Sequence, residues 1–452
     1  MAKAPPVAEV LAERLASLYA RALPAEVRET CERLLIDVVG LCVVARRTAY
    51  VGSALSAWTL DRGGVTVIGH EAPLGAAAAA FVNGTAAHGE DFDDTFEGGP
   101  VHAGAVVVPA VLAAAEQEGL DGRSALLGIA AGAETICRLG LVVPKAVHAA
   151  GFHPTAVFGA VAAAAGVGVA LGLDRTQLAD ALGIAGSMAS GIIEYLADGS
   201  WTKRMHPGWA AQSGLRAALL GRAGFSGPHT VFEGAHGLFH GFARSREGNF
   251  GALLDGFGQR WLMTALAFKP YPCGTMIQPY VDCALRLRAR GGDVAEVVAH
   301  VAEGTVHRLW EPLADKQAPP NGYAAKFSAP YCIAAALLRG SLGFDAFLDP
   351  AVADRAVRAL AARVRYEIDA ANRYPFEFTG RLRARFADGT VVEERQDHLR
   401  GGAREPLARS ELEAKLRDNA RSGGWSDDRI DAALALARAL WDGPVDLTPL
   451  RG

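Results

Sequence analysis

The sequence predicts a mainly α protein built as a large all-helical domain followed by a smaller α+β domain, and three observations carry that prediction. Up to about Phe268 the chain is a succession of Ala-, Leu- and Gly-rich apolar segments with helical spacing and almost no period-two alternation. The segment KPYPCG at 269–274 then breaks the pattern with two prolines and a glycine. Beyond it lie VVAHVAEGTVHRL at 297–309, RVRYEID at 363–369 and RLRARFADGTVVEER at 381–395, the last alternating on both sides of Asp388-Gly389, a hairpin signal. The runs LARSELEAKLRDNA and DDRIDAALALARALW restore helical spacing. The predicted boundaries are 1–268 for the helical domain and 269–426 for the α+β domain, with a last helix at about 427–452 returning to the first domain.

A chain of 452 residues suits two cores better than one. With 50% hydrophobic and 21% charged residues its composition is that of a globular protein, not a disordered one. A formal charge of -4 supplies no global basic field for nucleic acid or an anionic membrane surface. Six cysteines, with no CxxC and no paired metal spacing, read as reduced thiols. The opening MAKAPPVAEVLAERLASLYA has the spacing of an amphipathic helix and no signal core, so the expected location is the cytoplasm. The uncharged run at 155–173 is as long as a membrane span, but its Ala and Gly dominance and the Asp174-Arg175 that follows predict a buried core helix. Asp174 and Gln177 form a capping box for the next helix.

Five segments hold the chemistry. NGTAAHGEDFDDTFEGGPVHAGAVVVPAVLAAAE (83–116) places His88, Glu90, Asp91, Asp93, Asp94, Thr95 and His102 between two apolar helical runs, where ionisable groups are costly unless paired, hydrogen-bonded or facing a cleft. The plain alternative is a solvated loop with a helix cap at Asp94 or Thr95. In GFHPTAVFGA (151–160), His153 precedes a proline suited to a first helical turn, which puts its imidazole at the positive end of a helix. In LADGSWTKRMHPGWAAQSG (196–214), Lys203, Arg204 and His206 stand before Pro207 and another helical run, an arrangement able to bind an anion or to form a simple basic surface. Lys269 lies at the domain junction. In NGYAAKFSAPYCIAAALL (321–338), Lys326 and Tyr331 precede an apolar helix and by themselves read as a surface lysine and a packed tyrosine.

Three other motifs fail on context. DFDDT has the form of a phosphatase nucleophile motif, but no strand leads into Asp91. A calcium loop starting there would need glycine and glutamate where Phe96 and His102 stand. GVGVALG at 166–172 follows no strand and is packing glycine, not a dinucleotide fingerprint.

In their order along the chain, HGEDFDDT with VHAGAVVVPA, GFHPTAVFGA, WTKRMHPGWAAQSG, KPYPCG and AKFSAPYCIA resemble the MmgE/PrpD superfamily, whose members include 2-methylcitrate dehydratase, cis-aconitate decarboxylase and iminodisuccinate epimerase. The resemblance spans nearly the whole chain. It implies a helical domain with a smaller α+β lid, a cleft between them, a homodimer, and a lyase or isomerase that removes a proton beside a carboxylate of a small di- or tricarboxylic acid. No cofactor and no metal are implied. Carried over by position, His102, His153, Asp91 and Tyr331 become catalytic candidates, and Lys203, Lys269 and Thr95 substrate-binding ones, to which the cationic segment before Pro207 adds Arg204. Decarboxylase members carry a histidine where Gly274 stands, and the stretch from Thr95 to His102 is one residue longer here, which favours dehydration or epimerisation over decarboxylation. The competing expectations are a helical binding protein that has kept the fold and an Asp91-dependent phosphatase.

Overall fold

Helices dominate the computed structural model, which describes residues 4–452. Its larger unit takes the chain up to Gly89, then Asp93–Leu266 and Arg409–Gly452, and its smaller one Glu90–Phe92 and Ala267–Ala408. In the larger unit, helix α1 (Val7–Ala16) starts after Pro6 and buries Ala8, Leu11, Ala12 and Leu15, the one-sided stripe that its spacing predicts. It is followed by α2 (Ala25–Ala45), α3 (Ala76–His88), α4 (Gly104–Glu118), α5 (Gly122–Leu139), α6 (Pro154–Ala170), α7 (Arg175–Met188) and α8 (Thr202–Arg222).

Helix α6 is the hub: α4, α5, α7 and α8 all pack on it and every one of its residues is buried. The uncharged run that resembled a membrane span is therefore a core helix. Among the described residues no helix is long and apolar enough to cross a membrane. The small residues let backbones nearly touch. A Cβ added to Gly208 of α8 would stand 2.1 Å from the carbonyl oxygen of Phe81 in α3, and one on Gly84 would lie 2.7 Å from the Gly208 Cα. That crossing tolerates only glycine at both positions, and it sets the C-terminal end of α3 beside the first turns of α8. Asp174 and Gln177 make the complete capping box at the start of α7.

The smaller unit is α+β. Helix α9 (Gln278–Ala289) leads into a four-stranded sheet of β1 (Val294–Val301), β2 (Val364–Ile368), β3 (Gly380–Phe386) and β4 (Val391–Gln396), in the order β2-β1-β3-β4. β1 runs parallel to β2, with Val297 opposite Val364, and antiparallel to β3, with Val297 opposite Ala384. β3 and β4 form the expected hairpin, with Gly389 at φ 87 in its turn. Along β3, Leu382, Ala384 and Phe386 face the core while Arg383 and Arg385 face solvent. Helix α10 (Ala329–Arg339) packs on α9, and Trp310, Tyr331, Val297 and Leu382 share one apolar core.

The return to the larger unit begins at Arg409, so the boundary drawn at 426 from sequence gives way to an earlier one. Helix α11 (Arg409–Ser422) lies along α2: Lys415 and Asp37, both buried, pair at 2.7 Å, and Arg409 reaches Glu32 at 2.6 Å. Helix α12 (Asp427–Ala439) then packs on both. All six cysteines are buried free thiols.

Candidate functional site

Four imidazoles meet inside the larger unit. His88 is the last residue of α3, His102 lies just before α4, His153 is the N-cap of α6 and His206 lies in the second turn of α8. Ring centroids are 4.9 Å apart for His88 and His102, 5.7 Å for His88 and His153, 6.2 Å for His102 and His153, and 5.3 Å for His153 and His206. Each therefore leaves a core helix at its end or through its first turns, which is how polar groups reach one spot inside an apolar bundle.

The loop after α3 orients two of them. His88 Nδ1 lies 2.7 Å from Asp93 Oδ2, and the same oxygen is 3.5 Å from His102 Nδ1. His102 Nδ1 also lies 2.6 Å from the carbonyl oxygen of Asp94, and its backbone N–H donates to Thr155 Oγ1 at 3.2 Å. The Asp94 carboxylate accepts the N–H groups of Ala103 and Gly104 at 2.9 and 2.8 Å. Asp94 is thus a helix cap, as the plain sequence alternative held, but a buried one acting ten residues down the chain instead of on a local helix. Burial, followed by the neighbouring Asp93 carboxylate, pushes its pKa up to about 7 against the pull of those two amides.

His153 donates its backbone N–H to Gly191, and its Nδ1 lies 3.2 Å from His206 Nδ1, a contact that needs one ring to donate and the other to accept. Burial, reinforced by His88, His206, Lys203 and His102, holds His153 well below the usual imidazole range. Burial first, then His88 and Lys203, lowers His206 to about 4. Both imidazoles are therefore neutral near pH 7.

Helix α8 starts at Thr202, so Lys203, Arg204 and His206 lie within its first turns and not before it, and Pro207 lies inside the helix. Pro207 is the sixth residue of the helix, past its first turn, and costs it one intrahelical bond. The Arg204 guanidinium stands 4.4 Å over the Tyr50 ring, a cation–π contact. Thr95 is buried in a two-residue strand just after the loop.

The remaining predicted residues belong to the smaller unit. Lys269 Nζ lies 2.6 Å from Asp91 Oδ1 and 3.0 Å from the Asp91 carbonyl, both residues being buried. Asp91 adopts φ 55 and follows a helix and not a strand, which removes the setting that a phosphatase nucleophile needs. Lys326, expected at the surface, is 2% exposed and pairs with Glu90 at 2.9 Å and with its carbonyl at 2.7 Å. The two lysines therefore hold the short segment Glu90–Phe92. Tyr331 is fully buried and donates its hydroxyl to the carbonyl of Ala346, the packed tyrosine of the plain alternative.

Sequence reasoning missed His88, Asp93 and His206 as members of the cluster, although all stood in the quoted segments. One signal was present: His88 ends a helix whose other twelve residues, from Ala76 to Ala87, are also buried, so a polar partner close by was required.

Comparison with known proteins agrees with this organisation. The MmgE/PrpD N-terminal domain model matches residues 9–250 and the MmgE/PrpD C-terminal domain model residues 271–439. Relatives include a cis-aconitate decarboxylase of Aspergillus terreus (strain NIH 2624 / FGSC A1156), 28% identical over 95% of this chain and 91% of its own. The cis-aconitate decarboxylase of Homo sapiens is 27% identical over 96% and 92%, and that of Mus musculus 29% over 80% and 75%. With both of its domain models in sequence and together spanning most of its length, the chain belongs to the MmgE/PrpD family.

Proposed function

We propose that this protein is a lyase or isomerase that needs no cofactor and moves a proton beside a carboxylate of a small di- or tricarboxylic acid. The observation that carries the proposal is the pair His102 and His153, 6.2 Å apart between ring centroids and held in different electrostatic settings. His153 is held unprotonated by burial, with no carboxylate among the groups that shift it, and is therefore able to accept a proton. His102 has Asp93 at 3.5 Å, a charge that stabilises an imidazolium, and suits the role of acid. Lys203, whose charge is felt by both His153 and His206, neutralises a substrate carboxylate as negative charge builds on it. Arg204 and Thr95 shape the anion site from the same unit, and Tyr331 serves packing.

The family relatives named cis-aconitate decarboxylase support a small carboxylic acid as substrate. Gly274, standing where decarboxylase members carry histidine, favours dehydration of a 2-methylcitrate-like hydroxy acid, or epimerisation, over loss of carbon dioxide. The test is proton NMR in heavy water with citrate, 2-methylcitrate, cis-aconitate and iminodisuccinate. Deuterium incorporation or water loss with one of the four is the expected result. Carbon dioxide release from cis-aconitate would instead establish the decarboxylase reading, and a protein inert to all four would refute this function.

A further inference from the structure

The histidine cluster has a second chemical capacity. One ring nitrogen from each of His88, His102 and His153 lies within 4.8 Å of the others, and all three residues are buried. Tetrahedral zinc with Zn–N bonds of about 2.0–2.1 Å would need nitrogens about 3.3 Å apart, so closing the triad takes a contraction of the order of 1 Å. Its rings are already oriented from behind in the manner of metal ligands: His88 by the Asp93 carboxylate at 2.7 Å and His102 by the Asp94 carbonyl at 2.6 Å, with His206 at 3.2 Å from His153. His88 Nε2 is buried without a hydrogen-bond partner, a state that ligation would relieve. Asp93 is 0% exposed and lies against two of the rings, so its carboxylate offsets part of a divalent charge. The His102 side chain keeps 11% exposure and marks the way in.

We propose that His88, His102 and His153 form a binding site for a borderline divalent transition ion of the zinc class, with water as its fourth ligand, and that an ion bound there silences the enzyme. The silencing half rests on the proposed function, because an imidazole nitrogen that ligates a metal cannot carry the proton of the reaction. Reversible inhibition by zinc, and not zinc-dependent catalysis, is therefore the expected behaviour.

The experiment titrates chelator-treated full-length protein with Co2+ and then Zn2+. Expected is one Co2+ per chain with the intense visible absorption of a tetrahedral site, lost when one equivalent of Zn2+ displaces it. His88→Ala and His102→Ala should weaken Co2+ binding by about 100-fold or more, and Asp93→Asn by about 10- to 100-fold. His88→Gln, which keeps the volume, guards against a variant that fails to fold, with circular dichroism as the check. Absence of stoichiometric Co2+ binding, or binding unchanged in the folded histidine variants, overturns the site. Deuterium exchange that persists at full Zn2+ occupancy overturns the silencing. A metal-free protein with no exchange refutes the proposed function alone, since the Co2+ spectrum reads the site without any turnover.

Discussion

Asp94 holds His102 from two directions: its carbonyl oxygen lies 2.6 Å from His102 Nδ1, while its carboxylate takes the N–H groups of the two residues that follow His102. The histidine is fixed at both its ring and its backbone, at the mouth of α4. Asp94→Ala removes the acceptor for two buried amides, a loss of about 1–3 kcal/mol for each group left unsatisfied. It also frees the His102 backbone, and a displacement of about 1 Å in a proton-transfer group lowers turnover by about 100-fold. Asp94→Asn keeps one acceptor oxygen and should lose less in both respects. Thermal melts and steady-state kinetics on the two variants check this order; equal loss in both would show that the single oxygen kept by asparagine does not hold either amide.

The proposed division of labour between histidines and lysine predicts separable kinetic signatures. His153→Ala should lower kcat by about 100- to 10,000-fold, the range for one positioned acid or base, while KM changes little. Lys203→Ala should raise KM as well, since a carboxylate is held in the ground state and in the transition state alike. Lys203→Arg retains the charge on a longer, planar group and should restore affinity more than rate. A KM unchanged in Lys203→Ala would remove the lysine from substrate binding.

In the smaller unit, Asp91 and Lys269 form a buried ion pair with a particular asymmetry. Asp91→Ala leaves the Lys269 ammonium, 2% exposed, without its carboxylate, and truncating one partner of such a pair typically costs about 3–5 kcal/mol. Alanine at φ 55 adds about 1–2 kcal/mol of backbone strain, whereas asparagine adopts that region readily. Asp91→Asn is therefore expected to melt well above Asp91→Ala, and the double variant Asp91→Ala/Lys269→Met above it too. Urea denaturation of the three variants reads this order directly.

What the sequence disclosed about this fold follows the range of the interactions involved. The box of Asp174 and Gln177 and the turn of Asp388-Gly389 are encoded within four residues, and both formed as expected. The candidate residues His102, His153 and Lys203 were found because each stood where an apolar helical run breaks. Their partners were not visible. Asp93 could have paired with any cation, and only the crossing of α3 over α8 at Gly84 and Gly208 brings His88 to the neighbourhood of His206. Lys326 was misjudged for the same reason: a lysine before an apolar helix is usually solvated, and its burial depends on Glu90, more than two hundred residues away. Pro207 was taken for a helix boundary because local pattern cannot show that the preceding turn is already helical.

His229 offers a pH test far from the cluster. Its Nδ1 lies 2.8 Å from Glu9 in α1 and its Nε2 3.1 Å from Asp180 in α7, and the hydrogen bond to Glu9, followed by that to Asp180, raises its pKa above 6.5 against the effect of burial. A histidine with a raised folded pKa adds stability that is fully present below its unfolded pKa and is lost as pH rises through the folded value. The melting-temperature gap between the native protein and His229→Gln should thus be widest below about pH 6.5 and shrink above it. With the side chain 31% exposed, added salt should narrow the acid-side gap. A gap independent of pH would mean that the imidazole serves only by its hydrogen-bonding shape.

Arg138 and Glu134, one turn apart on α5 and both 0% exposed, supply the clearest test of a charged pair that is structural and not catalytic. The Arg138 guanidinium donates to the carbonyls of Ala252, Asp255 and Arg260, while Glu134 accepts the N–H of Met263, so together they tie the segment 252–263 to the bundle. Ala252 and Leu253 lie in the short helix Phe250–Leu254, and the carbonyls of such a segment need donors from outside it. Arg138→Met fills the volume yet abandons the carbonyls of Ala252, Leu253, Asp255 and Arg260 and the Glu134 carboxylate, so a loss of about 3–5 kcal/mol is expected. Glu134→Gln keeps an acceptor and a neutral donor and should lose less. Because neither residue is placed in the proton-transfer machinery, both variants should keep native kcat per folded molecule at a temperature where they remain folded. Hydrogen exchange will show the amides of 252–263 opening first in Arg138→Met; uniform loss of protection over the whole bundle would instead mean that the pair supports the core at large and not this one segment.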